Sequence, residues 1–144
     1  MTHKITRDAA DVAEARAEEL HVGDLDAKRD WGFARDYVHA IWRTLQHDEP
    51  DDFVVATGEA HSVREFCEAA FTRVGLDYRD HVVTDERFMR PAEVDHLLGD
   101  AAKARDLLGW EPTTSFDELV AMMVDADVEI FKGAKTSNEQ WDGR

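Results

Sequence analysis

The sequence has one cysteine and few basic residues, and each shortage excludes a class of protein. Cys67 is the only cysteine among 144 residues, so no internal disulfide framework can form and a reducing compartment is expected. Lysine and arginine number 17 against 32 aspartates and glutamates, which gives a formal net charge of −15. Because nucleic-acid phosphates are bound by basic surfaces, this chain is not expected to bind nucleic acid.

Long apolar runs are also missing, although hydrophobic residues make up 43% of the chain, which is enough for a folded core. No stretch approaches the ~18 consecutive apolar residues of a membrane span, and no signal peptide is recognisable. We therefore expect a cytoplasmic protein with one domain of ordinary size and no membrane partner.

Motifs that bind cofactors or metals are absent as well. The sequence contains no Gly-x-Gly-x-x-Gly or Gly-x-x-Gly-x-x-Gly loop for a dinucleotide and no P-loop. Neither Tyr37 nor Tyr78 is followed four residues later by lysine, so a Tyr-Lys proton-transfer pair is lacking. The seven histidines form no i, i+4 pair, so no metal site is expected. Cys67 lies on the apolar face of a predicted helix and is interpreted as a small hydrophobic residue.

The acidity itself has a pattern. The chain has only 5 lysines beside 19 aspartates, and runs such as Asp48–Asp52 contain no matching cation. Each run alone is typical of a solvated surface, but the whole composition is typical of a protein from a halophile, in which salt screens the repulsion between like charges.

Hydrophobic periodicity predicts an α/β fold. Capping boxes at Ser62–Glu65 and Ser115–Glu118 mark two helix starts, and Asp100 and Gly109 are expected to bound a short helix. The apolar positions of the second helix, on one face, are Ala34, Val38, Ile41, Trp42 and Leu45. The predicted helices cover residues 5–19, 34–45, 63–74, 100–108 and 116–128, and the predicted strands cover 20–23, 27–31, 53–56, 81–84 and 94–98.

One predicted strand differs from the others. The run 53–56, Phe-Val-Val-Ala, is continuously apolar between Asp52 and Gly58, which is typical of a parallel strand buried on both faces. Such a strand needs neighbours on both edges, and the chain offers no other of this type. The sequence therefore indicates part of a larger α/β unit.

Two segments carry the residues most suited to binding a ligand. Residues 28–32, Lys-Arg-Asp-Trp-Gly, place adjacent cations at a strand end, and residues 89–94, Met-Arg-Pro-Ala-Glu-Val, place an arginine in a stiff loop. A guanidinium donates in a planar fork that suits diphosphate oxygens, and a nearby glutamate can accept from a ribose. The alternative is that these arginines only neutralise some of the surrounding acids.

The same segments resemble the GDP-mannose 4,6-dehydratases, a family of extended short-chain dehydrogenase/reductases. The resemblance runs from about residue 3 to residue 129 and is most specific at Asp26–Gly32; Arg90–Val94 is shared more loosely with sister nucleotide-sugar enzymes. The other matching segments are 4–7, 23–25, 33–34, 36–38, 51–59, 62–66, residue 95, 98–100, 103–104 and 108–110.

The resemblance implies a fold class, a domain organisation and a site. Residues 1–131 would form the C-terminal substrate-binding region of an extended Rossmann-type nucleotide-sugar enzyme, without the N-terminal cofactor-binding half, and 132–144 would be a frayed tail. Arg29 and Arg90 would hold the diphosphate of GDP-mannose, Glu93 the guanosine ribose, and Lys4 the nucleotide. No catalytic residue carries over onto this chain.

The resemblance also implies an activity. The family's lyase reaction converts GDP-mannose to GDP-4-dehydro-6-deoxymannose and water, a step toward GDP-fucose, with NADP bound by the missing half. A homo-oligomer is implied for the full-length enzyme, and the isolated chain is expected to be inactive. The alternatives are a fragment of a sister nucleotide-sugar epimerase or reductase, and a non-catalytic remnant that acts as an interaction module.

Overall fold

The computed structural model describes residues 1–89 and 98–132, in which helices alternate with short strands. The helices are α1 (Thr2–Ala13), α2 (Ala34–Leu45), α3 (Val63–Arg73), α4 (Ala102–Leu108) and α5 (Phe116–Phe131). The strands are β1 (Leu20–Val22), β2 (Lys28–Arg29), β3 (His61–Ser62) and β4 (Val82–Thr84). Arg90, Glu93, most of the strand predicted at 94–98 and nearly all of the predicted tail lie outside the described residues.

The strands form two small sheets. β1 pairs in parallel with β4, and Leu20 lies opposite Val82. β2 pairs antiparallel with β3, and Arg29 lies opposite His61. The strands predicted near residues 20–23 and 81–84 are confirmed. β2 is shorter than the predicted 27–31, and β3 was not predicted, because its two residues run directly into α3.

The main core lies where α1, α3 and α5 pack together. Phe66 and Cys67 of α3 and Val120 of α5 are almost completely buried there. Burial raises the pKa of the Cys67 thiol to about 12, because a thiolate would be poorly solvated at this position. The interpretation of Cys67 as a small core hydrophobic residue is confirmed.

Local capping chemistry begins two of these helices as predicted. The Ser62 hydroxyl accepts from the Glu65 amide at 3.1 Å, while the Glu65 carboxylate accepts from the Ser62 amide at 2.6 Å. Ser115 and Glu118 form the same reciprocal pair at the start of α5. At α4, the Asp100 carboxylate accepts from the Ala102 amide, and Gly109 ends the helix in a left-handed conformation.

The first helix ends earlier than predicted, at Ala13 instead of near Glu19. Ala15 adopts a φ of 56°, a left-handed conformation that stops a right-handed helix. Arg16, Glu18 and Glu19 are exposed, so another helical turn would bury no apolar surface and would gain no stability from packing. Leu20, which begins the predicted strand 20–23, is fully buried in β1.

The second helix has the predicted bounds, but its larger apolar side chains face outward. The exposed fractions are 63% for Val38, 60% for Ile41, 55% for Trp42 and 75% for Leu45. The apolar spacing of this face is confirmed, and within the described residues the face is open to solvent.

Polar anchors on the opposite side of α2 explain this orientation. The indole N–H of Trp110 donates to the Asp36 carbonyl at 2.9 Å, and Arg43 donates to the carbonyls of Leu108 and Gly109. Asp36 and Arg43 lie seven residues apart, on the same face of the helix as the buried Ala40. This face packs against the second, smaller core, which consists of Ala40, Ala56, Ala101, Ala104 and Trp110.

The segment 53–56 does not form a strand with the described residues. Ala56 is buried, but Val54 is 54% exposed. Gly99 lies directly against Ala56, since a Cβ at residue 99 would come within 2.4 Å of the Ala56 Cβ. No strand pairs with this segment in residues 1–89 and 98–132, so the predicted strand buried on both faces is not formed among the described residues.

Helix length also bears on membrane insertion. The longest helix among the described residues, α5, has 16 residues. No helix in this part of the chain has both the length and the apolar character needed to cross a bilayer.

Candidate functional site

Lys4 connects the first turn of α1 to β1. Its ammonium donates to the carbonyl of His21 at 2.5 Å and lies 4.1 Å from the centre of the Phe88 ring, a cation–π contact. Phe88 is two residues before Arg90, so Lys4 contacts the segment that leads into the Arg-Pro-x-Glu-Val motif. The structure therefore places Lys4 against Phe88, two residues before that motif in sequence.

A glycine allows this close approach. A Cβ at Gly23 would lie 2.4 Å from the Phe88 carbonyl oxygen and 2.8 Å from its carbon. Both are backbone atoms that cannot move aside as a flexible side chain could. Gly23 is therefore needed where residues 86–89 cross the end of β1.

Arg29 lies on β2, next to a second loop whose conformation is fixed by a carboxylate. Arg29 is half-buried, and its guanidinium donates to the Lys28 carbonyl at 2.5 Å. The neighbouring Asp30 accepts from the amide and hydroxyl of Thr57 at 3.1 and 2.7 Å, and from the Gly58 amide at 3.1 Å. These hydrogen bonds hold the 57–59 turn against the strand that carries Arg29.

The structure brings together only part of the predicted set. No hydrogen bond or ion pair among the described residues joins Lys4 to Arg29, which lie on α1 and β2. Arg90 and Glu93 fall in 90–97, outside the described residues, so their assignment stays a prediction.

A cluster of charged residues near Lys4 was missed from the sequence. Arg87 donates to both carboxylate oxygens of Asp85, with its Nη2 2.6 Å from Oδ2, and this pairing lowers the pKa of Asp85 to about 2. His21 lies between two acids, with Nδ1 3.7 Å from Asp85 Oδ2 and Nε2 3.6 Å from Glu19 Oε2. The sequence signal that could have found this pair is the Asp-x-Arg spacing at residues 85–87. An aspartate that caps a short helical turn, here residues 86–88, can pair with an arginine two residues later.

An aromatic cluster lies beside β2 and β3. The His61 ring stacks on Phe116 at a centroid distance of 3.9 Å, and Trp31 stacks on the same phenylalanine at 6.0 Å. A cavity of about 280 Å³ opens next to Trp31 and is lined in part by Glu59 and Glu118. These carboxylates would repel a diphosphate, so the cavity does not suit that group.

The N-termini of α3 and α5 do not suit a dinucleotide cofactor. A pyrophosphate binds where free backbone N–H groups at a helix start point toward it. At α3 the Glu65 amide donates to Ser62, and the amides of Val63 and Arg64 donate to the carbonyls of Ala27 and Leu25. At α5 the Glu118 amide donates to Ser115, and the carboxylates of Glu65 and Glu118 add negative charge at both helix starts.

Comparison with known proteins gives consistent matches. A family model described as GDP-mannose 4,6 dehydratase matches residues 1–123. The chain is 50% identical over 135 residues to GDP-mannose 4,6 dehydratase 1 of Arabidopsis thaliana, covering 94% of this chain and 37% of that protein. It is 46% identical over 149 residues to GDP-mannose 4,6 dehydratase of Homo sapiens, covering 92% of this chain and 40% of the human protein.

Solved structures show the same partial coverage. The structure of RMD from Pseudomonas aeruginosa complexed with NADPH superposes with a TM-score of 0.80 at 25% identity, covering 90% of this chain and 42% of that one. A UDP-glucose 4-epimerase from Bifidobacterium longum in complex with NAD+ and UDP has a TM-score of 0.70 at 21% identity, covering 90% and 40%. The chain therefore spans about two fifths of the length of the proteins that it matches.

Proposed function

The chain belongs to the GDP-mannose 4,6-dehydratase family, and on that basis we propose that it forms the part of such an enzyme that holds the nucleotide sugar. The fold class predicted from the sequence is confirmed: the chain is α/β and is similar to part of Rossmann-type nucleotide-sugar enzymes. The observation that carries the proposal is the 50% identity to a dehydratase across 94% of this chain.

The proposed site consists of Lys4, Arg29, Arg90 and Glu93. Lys4 contributes a compact positive charge against Phe88, two residues before Arg90 in sequence, while Arg29 and Arg90 donate in a planar fork to the diphosphate. Glu93 accepts from the hydroxyls of the guanosine ribose. In a chain of net charge −15, two arginines and a lysine at one site would be a local exception that suits an anionic ligand.

In the proposed reaction GDP-mannose loses water and becomes GDP-4-dehydro-6-deoxymannose. NADP is the proposed cofactor, supported by the NADPH complex of the Pseudomonas structure, and it would be bound by the part of the enzyme that this chain does not contain. The residues of this chain bind and orient the nucleotide sugar, and such positioning lowers the entropic part of the barrier. Turnover by the isolated chain is not expected, because it lacks a cofactor loop and a Tyr-Lys pair.

The sister-enzyme alternative is weaker. The epimerase structures are 20–29% identical to this chain, whereas the curated dehydratases are 42–50% identical. The similarity to epimerases therefore supports the shared fold and not a shared substrate.

A comparison of nucleotides tests the proposal. Saturation-transfer NMR on the purified chain should show transfer to the base and ribose protons of GDP and of GDP-mannose, and weaker transfer to UDP-glucose. Equal transfer to UDP-glucose and GDP-mannose would favour the sister-enzyme alternative. Absence of transfer to every nucleotide would contradict a nucleotide-binding role.

A further inference from the structure

The short helical turn at residues 86–88, which follows β4, is organised by Asp85. The Asp85 amide donates to the Val22 carbonyl at 2.8 Å, so this residue extends the pairing of β1 with β4. Its carboxylate accepts from the backbone amide of Arg87 at 2.9 Å, and the Arg87 guanidinium donates to both carboxylate oxygens. Only 14% of the Asp85 side chain is exposed, against 80% for Arg87. Asp85 therefore fastens the turn to β1 and caps its start.

This turn determines where the Phe88 ring lies. The Phe88 amide donates to the Asp85 carbonyl at 3.0 Å, which closes the turn. The Phe88 side chain is 49% exposed, so burial in a core does not hold the ring in place. The geometry of the turn is therefore what brings the ring to Lys4, whose ammonium lies 4.1 Å from the ring centre.

Lys4 is held at two points, and Asp85 joins the two segments that supply them. The Lys4 ammonium donates to the His21 carbonyl of β1 and lies over the ring of Phe88. A lysine side chain has a flexible four-carbon stem, so binding a ligand with it costs conformational entropy unless its position is fixed beforehand. An ammonium has three N–H donors, so one bond to a carbonyl does not exhaust its capacity to bind a phosphate oxygen.

We propose that Asp85 is a positioning residue for the nucleotide, which acts on Lys4 through the 86–88 turn and does not itself contact the ligand. Its carboxylate fixes the turn, and the turn places the Phe88 ring. The ring and the His21 carbonyl then hold the Lys4 ammonium in the orientation that binds the anionic nucleotide. This inference rests on the proposed function, which assigns Lys4 to the nucleotide.

The alternative is that Asp85 only stabilises the fold, and the chain contains a matched residue that separates the two roles. Asp77 caps the 78–80 turn in the same way: its carboxylate accepts from the Arg79 amide at 2.9 Å and from the Arg79 guanidinium at 3.2 Å. No hydrogen bond or ring contact among the described residues joins that turn to Lys4. Replacing either aspartate by alanine removes the same kind of cap, but only the cap at Asp85 leads to Lys4.

Proton–carbon NMR of the purified chain without nucleotide measures the position of Lys4. An aromatic ring shifts the signals of groups above its face upfield, so the ε-methylene protons of Lys4 should lie upfield of their position in the urea-unfolded chain. Lys4→Arg identifies the signal by its loss. Asp85→Ala should remove most of the upfield shift, and Asp77→Ala should leave it unchanged. An unchanged Lys4 signal in Asp85→Ala would overturn the proposal.

Titration with GDP, followed by saturation transfer, measures the consequence for binding. Asp85→Ala should weaken GDP binding about 5-fold or more, because a misplaced ammonium loses much of a charge-assisted bond to phosphate. Asp77→Ala should change the affinity by less than about 2-fold. In a Lys4→Ala background Asp85→Ala should have no further effect, because a residue that acts through Lys4 then has nothing to position. Full additivity of the two changes would overturn the proposal.

Asp85→Asn is a milder change that keeps the proposal testable if Asp85→Ala does not fold. Asparagine keeps an oxygen that accepts from the Arg87 amide but loses the charge that pairs with the guanidinium. The Lys4 signal and the GDP affinity of Asp85→Asn should therefore both be reduced, by less than in Asp85→Ala. Wild-type values in both measurements would overturn the proposal.

The two measurements separate this inference from the proposed function. A wild-type chain that binds no GDP contradicts the nucleotide-binding role, and the Lys4 signal alone then decides whether Asp85 positions Lys4. A chain that binds GDP with the same affinity in wild type and in Asp85→Ala contradicts this inference alone.

Discussion

The carboxylate of Asp36 accepts two hydrogen bonds from Thr113, one from the hydroxyl at 2.7 Å and one from the backbone amide at 3.1 Å. A third comes from the Thr114 amide at 3.1 Å. Together they join α2 to the loop before α5, 77 positions away in sequence. This connection decides which face of α2 points inward, and so which face is exposed.

Replacing that carboxylate should destabilise the fold. In Asp36→Asn one acceptor oxygen becomes a donor, which then faces an amide that also donates, so the free energy of unfolding should fall by about 1–3 kcal/mol. Urea unfolding followed by circular dichroism measures the change. Asp52→Asn is the matched control and should shift stability by less than about 0.5 kcal/mol, because Asp52 is exposed and its hydrogen bond to the Asp51 carboxylate comes from the backbone amide, which the substitution keeps. Equal effects of the two changes would contradict the role given to Asp36.

The carboxylate of Asp36 should also make the stability of the fold sensitive to acid. Desolvation raises the pKa of Asp36, but the hydrogen bonds from Thr113 and Thr114 outweigh it and hold the pKa below its ordinary value of 3.8. The unfolded chain therefore binds a proton at a higher pH than the folded chain, and stability falls as the pH drops below about 4. Glu65 acts in the same direction, because hydrogen bonds from Ser62 lower its pKa. Urea titrations from pH 6 to pH 3 should show this loss, and Asp36→Asn should flatten the slope; an unchanged slope would remove Asp36 as a contributor.

Arginine geometry should control nucleotide affinity. In the complete enzyme, Arg90→Ala should weaken GDP binding by roughly 1.5–3 kcal/mol, the usual contribution of a charge-assisted hydrogen bond. Arg29→Lys should also weaken it, because an ammonium cannot reproduce the guanidinium fork. Calorimetry measures both, with Arg35→Lys on the exposed side of α2 as the control. Unchanged GDP affinity in Arg90→Ala and Arg29→Lys would exclude both residues from the site.

High salt should strengthen the isolated chain. Circular dichroism should show more helix and a sharper thermal transition in about 2 M salt than in a dilute buffer with a Debye length of ~30 Å, because salt screens the repulsion among the acids. Excluded salts also strengthen apolar burial, so sodium chloride and sodium sulfate at equal ionic strength separate the two effects. Identical melting in dilute and concentrated salt would contradict the halophile interpretation.

Features determined by neighbours in sequence were predictable, and those that depend on distant partners were not. The capping boxes at Ser62–Glu65 and Ser115–Glu118 need only four consecutive residues, and both are confirmed. Amphipathic spacing gave the bounds of α2 but could not tell which side is inward, because that depends on Asp36 meeting Thr113. A strand at 53–56 could not be confirmed within the described residues, since pairing requires a second strand.

The candidate site was predictable to a similar extent. Lys4 and Arg29 were selected by resemblance, but the contact of Lys4 with the His21 carbonyl and the Phe88 ring joins three separate elements. No rule of residue spacing in the sequence predicts that contact. The closeness of Gly23 to Phe88 is of the same kind, because it reflects two backbone segments that meet only in the folded chain.

The buried thiol of Cys67, the only cysteine of the chain, can report how often the core formed by α1, α3 and α5 opens. Cys67 is fully buried and its pKa is raised to about 12, so the folded state presents almost no reactive thiolate to a labelling reagent near neutral pH. A disulfide-exchange reagent reacts only when α1, α3 and α5 separate. The labelling rate therefore measures how often that core opens, without any change to the chain.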